Sequence, residues 1–80
     1  MTLELAAHLL ATALRRRAAE WLPSVVTPGE LTTRCGGPPP GVIGRLTRGP
    51  HWDAIADACT RDEVFVTYDR RARLFHLRRK

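Results

Sequence analysis

Arginine side chains supply the most distinctive chemistry of this 80-residue chain, and they are concentrated near its end. Six of the eleven residues from Arg70 onward are Arg or Lys, and none is acidic. A guanidinium group is always charged and donates hydrogen bonds in a planar fork that matches phosphate oxygens and the edge of guanine. This segment therefore predicts contact with a polyanion through Arg70, Arg71 and Arg73.

A second basic group lies near the middle of the chain, where Arg45, Thr47 and Arg48 follow a short apolar stretch. Side chains three residues apart share one face of a helix, so Arg45 and Arg48 are expected to point the same way. The Thr47 hydroxyl is able to hydrogen-bond a phosphate oxygen. The alternative interpretation is that both arginines only solvate the polar face of a short helix.

A third basic group is the arginine triplet at 15–17, which precedes Glu20 at helical spacing. On a helix, the Glu20 carboxylate lies within pairing distance of Arg16 and Arg17. The triplet is therefore expected to form a solvated helix face and not a binding surface.

The remaining reactive side chains form no recognised catalytic or metal-binding pattern. The two Cys and three His residues include no Cys-x-x-Cys or His-x-x-x-His pair, which disfavours a zinc site. Neither cysteine is flanked by an oxyanion-type glycine motif. The sequence predicts a protein that is not an enzyme and has no catalytic residue, metal or cofactor, with Cys35 and Cys59 as reduced thiols in the core.

Composition favours a small folded domain with a polyanionic partner. The net charge is +5, hydrophobic residues make up 44% of the chain and charged residues 26%. Eighty residues suit a single domain, 1–80. Because arginines interrupt the longest apolar stretch and the first charged residue is Glu4, we expect no membrane span, no signal peptide and a cytoplasmic location.

Two helices are predicted before residue 38. Apolar residues at three- and four-residue steps predict a long N-terminal helix within 1–23, with Thr2 as its N-cap and Pro23 as its stop. The sequence Thr27-Pro28-Gly29-Glu30 is a capping box with proline at the first helical position. It predicts a second helix that begins at Pro28 and ends at the following Gly-Gly pair.

Two shorter helices and a hairpin are predicted to follow. The apolar spacing favours helices at about 40–48, ended by the Gly-Pro pair at 49–50, and at 51–60. Alternation of apolar residues over 64–78 predicts two strands, with 69–72 as the turn. That turn pairs Val66 with Phe75 and Val64 with Leu77, and these four side chains share the buried face. The opposite face, with its bulky Phe65 and Leu74, is expected to pack under the first helix or to contact another protein.

The order of these elements resembles the winged helix-turn-helix family of DNA-binding domains. The matching segments are 27–31 for the first helix of the motif, 36–37 for its turn, 42–46 for its recognition helix and 64–77 for its wing. The resemblance implies an α+β fold of three to four helices followed by a two-stranded hairpin wing. It places helix 40–48 in the major groove, with helix 51–60 as the alternative recognition helix.

The resemblance also implies a function and a set of DNA-binding residues, namely Arg45, Thr47, Arg48, Arg70, Arg71 and Arg73. The chain is expected to bind duplex DNA in a sequence-specific manner. A small transcriptional regulator or accessory factor, of phage or plasmid origin, is the expected role because no effector domain is present. The alternatives are a winged-helix module that binds an acidic or apolar protein partner, and an oligomer-forming adaptor that touches no nucleic acid. A homodimer formed through the N-terminal helix is a further expected assembly.

Overall fold

The computed structural model describes residues 2–79, which form four helices and a three-stranded antiparallel sheet, an α+β fold. Met1 and Lys80, the ends of the predicted first helix segment and basic tail, lie outside the described residues. In chain order the elements are α1 (Leu3–Glu20), β1 (Ser24–Val26), α2 (Pro28–Cys35), α3 (Pro40–Leu46), α4 (Gly49–Arg61), β2 (Val64–Asp69) and β3 (Leu74–Arg79).

Helix α1 begins at the predicted cap and ends slightly earlier than predicted. The Thr2 hydroxyl oxygen accepts a hydrogen bond from the Leu5 amide at 3.0 Å, which satisfies one of the free donors of the first turn. The helix ends at Glu20 because Trp21 adopts an extended backbone. The Trp21 side chain is 61% exposed and lies outside the core. The face of α1 that is buried against the other helices is made mostly of alanine and leucine.

Helix α2 follows the predicted local signals at both ends. The Thr27 hydroxyl accepts a hydrogen bond from the Glu30 amide at 3.2 Å, and the helix starts at Pro28. It ends at Cys35, and Gly36 follows in the left-handed conformation with φ 74°, which only glycine adopts at little cost.

The boundary between α3 and α4 differs from the prediction. Helix α3 ends at Leu46, and the Gly-Pro pair at 49–50 begins α4 where the sequence had predicted a terminator. Proline is accepted in the first turn of a helix because the amide it lacks would be unpaired there. Helix α4 therefore starts two residues before the predicted His51 and runs to Arg61.

The sheet contains a strand that was not predicted. Strand β1 pairs with β3, with Val25 opposite His76, and the strand order is β1-β3-β2. Three residues are too few to show a period of two in the sequence. Pairing with the distant β3 is what makes this segment a strand.

The hairpin of β2 and β3 buries the predicted face, but its register is shifted by two residues. Val66 lies opposite Leu77 and Tyr68 opposite Phe75, so the predicted pairing of Val66 with Phe75 is wrong. A shift of two residues preserves side-chain orientation, and Val64, Val66, Phe75 and Leu77 are all buried.

The cause of the shift is the position of the loop, which has the predicted length but lies one residue later, at 70–73 instead of 69–72. The Asp69 Oδ1 atom accepts hydrogen bonds from the amides of Arg71 at 3.0 Å and Ala72 at 3.2 Å. Arg73 closes the loop in the left-handed region with φ 54°. This carboxylate-stabilised turn is favourable because Asp bonds readily to backbone two residues ahead.

The core lies between the helices and the inner face of the sheet. Helix α1 packs on the other three helices, and α4 also packs on β2. Phe75 is fully buried, with its ring centroid 4.6 Å from that of Tyr68 and 5.9 Å from that of Trp52. Helix α1 therefore lies on the far side of the core from the outer sheet face, where Val25 is 48% exposed and Phe65 is half-buried.

Candidate nucleic-acid interface

A groove of about 1070 Å³ runs between the start of α2, helix α3 and the hairpin loop. Its charged lining residues are Arg45, Arg48, Arg70 and Arg73. In the part of the chain that the structure describes, no acidic side chain lines it. We refer to this surface as the basic groove.

The basic groove is assembled from segments far apart in the chain. Arg45 lies in the last turn of α3 and Arg48 just after this helix, whereas Arg70 and Arg73 belong to the hairpin loop. All four residues are exposed. The fold thus brings the two basic groups singled out in the sequence onto one concave surface.

The groove arginines are not neutralised by any acidic side chain within residues 2–79. The ion pairs among residues 2–79 join Arg15 to Asp62, Arg17 to Glu20 and Arg34 to Glu20, and none of them involves a groove arginine. Several like charges along a concave wall focus a positive potential into it. The groove is therefore suited to an anionic ligand that supplies several negative charges.

Arg70 has a second role within the groove wall. Its Nη2 atom donates a hydrogen bond to the Thr47 carbonyl oxygen at 2.9 Å, across 23 residues of sequence. Thr47 is 5% exposed, and its hydroxyl donates to the Gly44 carbonyl oxygen at 2.9 Å. The Thr47 side chain, which was predicted to contact DNA, is therefore buried and engaged with α3.

Arg71 is the predicted site residue that does not line the basic groove. It is exposed in the hairpin loop, and the bond that fixes it is the one from its backbone amide to Asp69. The loop therefore carries two arginines that face the groove and one that does not.

The surfaces of α3 and α4 differ in charge. Helix α3 contributes Gly41, Gly44 and Arg45 to the groove, whereas no residue of α4 lines it. The exposed side of α4 carries Asp53 and Asp57. Carboxylates on this side disfavour approach of a polyanion, so the charge distribution favours α3 over α4 as the helix that faces such a ligand.

Two kinds of groove residue were not identified from the sequence. Gly41 and Gly44 leave the wall flat, and an added Cβ atom at either position would meet no other atom within 4 Å. Both glycines fall within the predicted helix 40–48, and nothing in the sequence marked them as groove residues. Tyr68 is half-buried against Phe75 and also lines the groove. Tyr68 lies one residue before Asp69 in the sequence, and this closeness to the hairpin loop is what could have predicted its position at the groove.

A smaller cavity of about 280 Å³ lies on the outer face of the sheet. Val25 and Phe65 are among the apolar residues that line it, and His76 and Arg78 lie beside them. The Arg78 guanidinium carbon is 5.1 Å from the centroid of the Phe65 ring, a cation–π contact. This second surface is mixed in polarity and separate from the basic groove.

The cysteines lie in the core. Cys35 and Cys59 are both buried free thiols, as predicted. Burial raises the pKa of Cys59 to about 11, Arg15 lowers that pKa to a smaller extent, and Asp62 raises it slightly. Cys59 is therefore protonated at neutral pH.

Two further features concern residues 2–79 only. Their His, Cys, Asp and Glu side chains do not gather in groups of three or more that could hold a metal ion. No helix in this part of the chain combines the length and the apolar character needed to cross a membrane.

The chain matches no protein-family model, no curated protein and no solved structure.

Proposed function

We propose that this protein binds duplex DNA through the basic groove. The observation that carries the proposal is the convergence of four exposed arginines, from α3 and the hairpin loop, on a groove without an acidic lining residue. Arginine contacts to phosphate release condensed counterions from DNA, which makes such a surface a favourable binding site for it.

We further propose that the fold is a winged helix-turn-helix, with the β2–β3 hairpin as its wing. The order of helices and strands and the sheet order β1-β3-β2 support this assignment. In such domains one helix enters the major groove while flanking segments contact the backbone. A small transcriptional regulator or accessory factor is the role we propose on this basis.

The groove residues divide into two roles in this proposal. Arg45, at the end of α3, presents a guanidinium to guanine in the major groove and is the residue best able to read sequence. Arg48 and Arg73 contact phosphates on either side, and they contribute affinity that does not depend on sequence.

A salt titration of the purified protein with a fluorescent duplex tests the proposal directly. With two arginine–phosphate contacts, from Arg48 and Arg73, affinity should fall roughly 12-fold between about 50 and 200 mM salt. Arg61, exposed on α4 and outside the groove, provides a matched control. Arg45→Gln should weaken binding, whereas Arg61→Gln should leave it nearly unchanged. Absence of duplex binding at low salt would refute the proposal.

The outer sheet face supports a second candidate function, a module that binds a protein. Val25 is 48% exposed there, and Phe65 lies beside it under Arg78. Apolar groups with a basic rim suit a partner that combines apolar and acidic side chains. Under this alternative, Val25→Asp abolishes capture of the partner, while substitutions in the basic groove have no effect on it.

A further inference from the structure

We infer that Arg70 is a positioning residue that holds the hairpin loop against the end of α3 and so sets the width of the basic groove. The inference rests on the proposed function of this groove. It gives Arg70 a role different from that of Arg48 and Arg73, which line the same surface.

The geometry of one hydrogen bond carries the inference. The Arg70 Nη2 atom lies 2.9 Å from the Thr47 carbonyl oxygen, and the bond is partly buried. A charged donor makes this bond shorter and stronger than a neutral one. Among the hydrogen bonds of residues 2–79, it is the one that joins the hairpin to the segment immediately after α3.

Both ends of this bond are held in place by further bonds. On the helix side, Thr47 is buried and its hydroxyl donates to the Gly44 carbonyl oxygen. On the hairpin side, Asp69 accepts hydrogen bonds from two loop amides, and Arg73 takes the left-handed conformation. The acceptor and the loop are therefore each stiffened locally, and the Arg70 guanidinium connects two ordered parts.

The consequence for binding is preorganisation. Arg73 lies in the same loop as Arg70, so the distance of Arg73 from Arg45 depends on where the loop rests. Without the bond, the loop would have to be ordered when DNA binds, and affinity would fall by that cost. Because its guanidinium is engaged with Thr47, Arg70 should add little to the number of phosphate contacts.

The hairpin supplies a matched set of variants, Arg70→Met, Arg71→Met and Arg73→Met. Each removes one charge from the same loop. Arg71 is the control because it is exposed, makes no side-chain hydrogen bond among the described residues and lies outside the groove. Thermal unfolding should show that all three variants remain folded.

The first measurement is backbone order in the DNA-free protein, by ¹⁵N relaxation of the amides at 70–73. In Arg70→Met the order parameters should fall from about 0.85 toward 0.6, since the loop loses its attachment. Arg71→Met should keep the wild-type values.

The second measurement is the salt dependence of DNA binding. Arg70→Met should bind DNA roughly tenfold more weakly, because a hydrogen bond that involves a charged group contributes about that much free energy. The slope of log K against log salt should not change. Arg73→Met should reduce the magnitude of that slope by about 0.9, because it removes a phosphate contact.

Two results would overturn the inference. One is an Arg70→Met variant with wild-type loop order and wild-type affinity. The other is a loss of affinity with a slope reduced by about 0.9 and no change in loop order, which would make Arg70 a direct phosphate contact. If the wild-type protein itself fails to bind duplex DNA, the proposed function fails, whereas the loop order still decides whether the bond to Thr47 positions the hairpin.

Discussion

Two groups of arginines in this molecule have similar sequence character and opposite structural roles. The triplet at 15–17 on α1 is one of two runs of three consecutive cations in the chain, yet each of its side chains has a partner within the protein. The arginines of the basic groove are spread over two segments, yet no ion pair within residues 2–79 engages them. Charge density along a sequence is therefore a poor guide to which charges are available to a ligand.

The partners of the triplet differ in kind. Arg15 lies 3.5 Å from Asp62, and the Arg16 Nη1 atom donates to the Cys35 carbonyl oxygen at 3.2 Å. The second contact satisfies a carbonyl in the last turn of α2, where helices leave acceptors unpaired. These arginines connect α1 to other elements and contribute to the fold.

Arg17 is the exceptional member because it is 7% exposed. Its guanidinium carbon lies 5.6 Å from the centroid of the Trp21 ring, and its Nη1 atom is 3.3 Å from Glu20. That distance makes an ion pair, but the atoms lack hydrogen-bond geometry, and both Nε and Nη1 have no hydrogen-bond partner. The expectation that the triplet is a solvated face is wrong for this residue, because its stem packs into the protein.

The largest expected effect is a loss of stability caused by a substitution in the core that supports both arginine groups. Phe75→Ala should lower the free energy of unfolding by about 3 to 5 kcal/mol, because it empties a fully buried site against Tyr68 and Trp52. Urea unfolding measures the change. Leu74, half-buried at the hairpin end, is the control, and Leu74→Ala should cost less. A larger loss from Leu74→Ala would contradict the buried face assigned to β3.

The second prediction sets the two arginine groups directly against each other. Arg45→Gln with Arg73→Gln should weaken duplex binding by about 2 to 3 kcal/mol, because two charge-assisted contacts are lost. Arg15→Gln with Arg16→Gln removes the same charge from α1 and should leave binding nearly unchanged. Fluorescence anisotropy at one fixed salt concentration compares the two double variants. Equal losses would show that total charge, and not the groove, determines binding.

The third prediction concerns stability alone. Arg17→Ala should cost about 1 to 2 kcal/mol because the packing of the long stem is lost. Arg17→Met keeps that packing and removes a buried charge with unpaired donors, so it should change stability by less than about 0.5 kcal/mol or raise it. Thermal unfolding of both variants distinguishes packing from charge. If Arg17→Met were as destabilising as Arg17→Ala, the ion pair with Glu20 would be the main contribution.

The smallest predicted effect uses Cys59 as a reporter of the α1 region. Its pKa of about 11 reflects burial first, opposed in part by the nearby Arg15 charge. Arg15→Gln should raise this pKa slightly further, and thiolate absorbance during a pH titration would detect the shift. Since the folded pKa lies above the ordinary value of 9.0, the contribution of Cys59 to stability is complete below pH 9 and decreases between pH 9 and 11. Cys59→Ala should remove that pH dependence. A lower Cys59 pKa in Arg15→Gln would show that the Arg15 charge does not lower this pKa in the wild-type protein.

Short-range signals determined much of this fold from sequence. The capping box at Thr27 and the left-handed Gly36 set the limits of α2, because both act through bonds within one or two turns. The alternation of apolar residues identified the buried face of the hairpin. This prediction is correct although the predicted register is wrong, because a shift of two residues leaves each side chain on the same face. The prediction that the Gly-Pro pair at 49–50 ends a helix was wrong, because the same dipeptide is favourable at the end of one helix and at the start of the next.

Tertiary structure alone decided the features on which the proposed function depends. Strand β1 exists because β3 is beside it, and three residues carry no periodic signal of their own. The burial of Arg17, the bond from Arg70 to Thr47 and the convergence of Arg45 with Arg73 all join residues through the packing of separate elements. Sequence pattern reports which side chains face the core, because periodicity is local. It does not report which exposed charges meet, because that depends on how elements distant in sequence pack together.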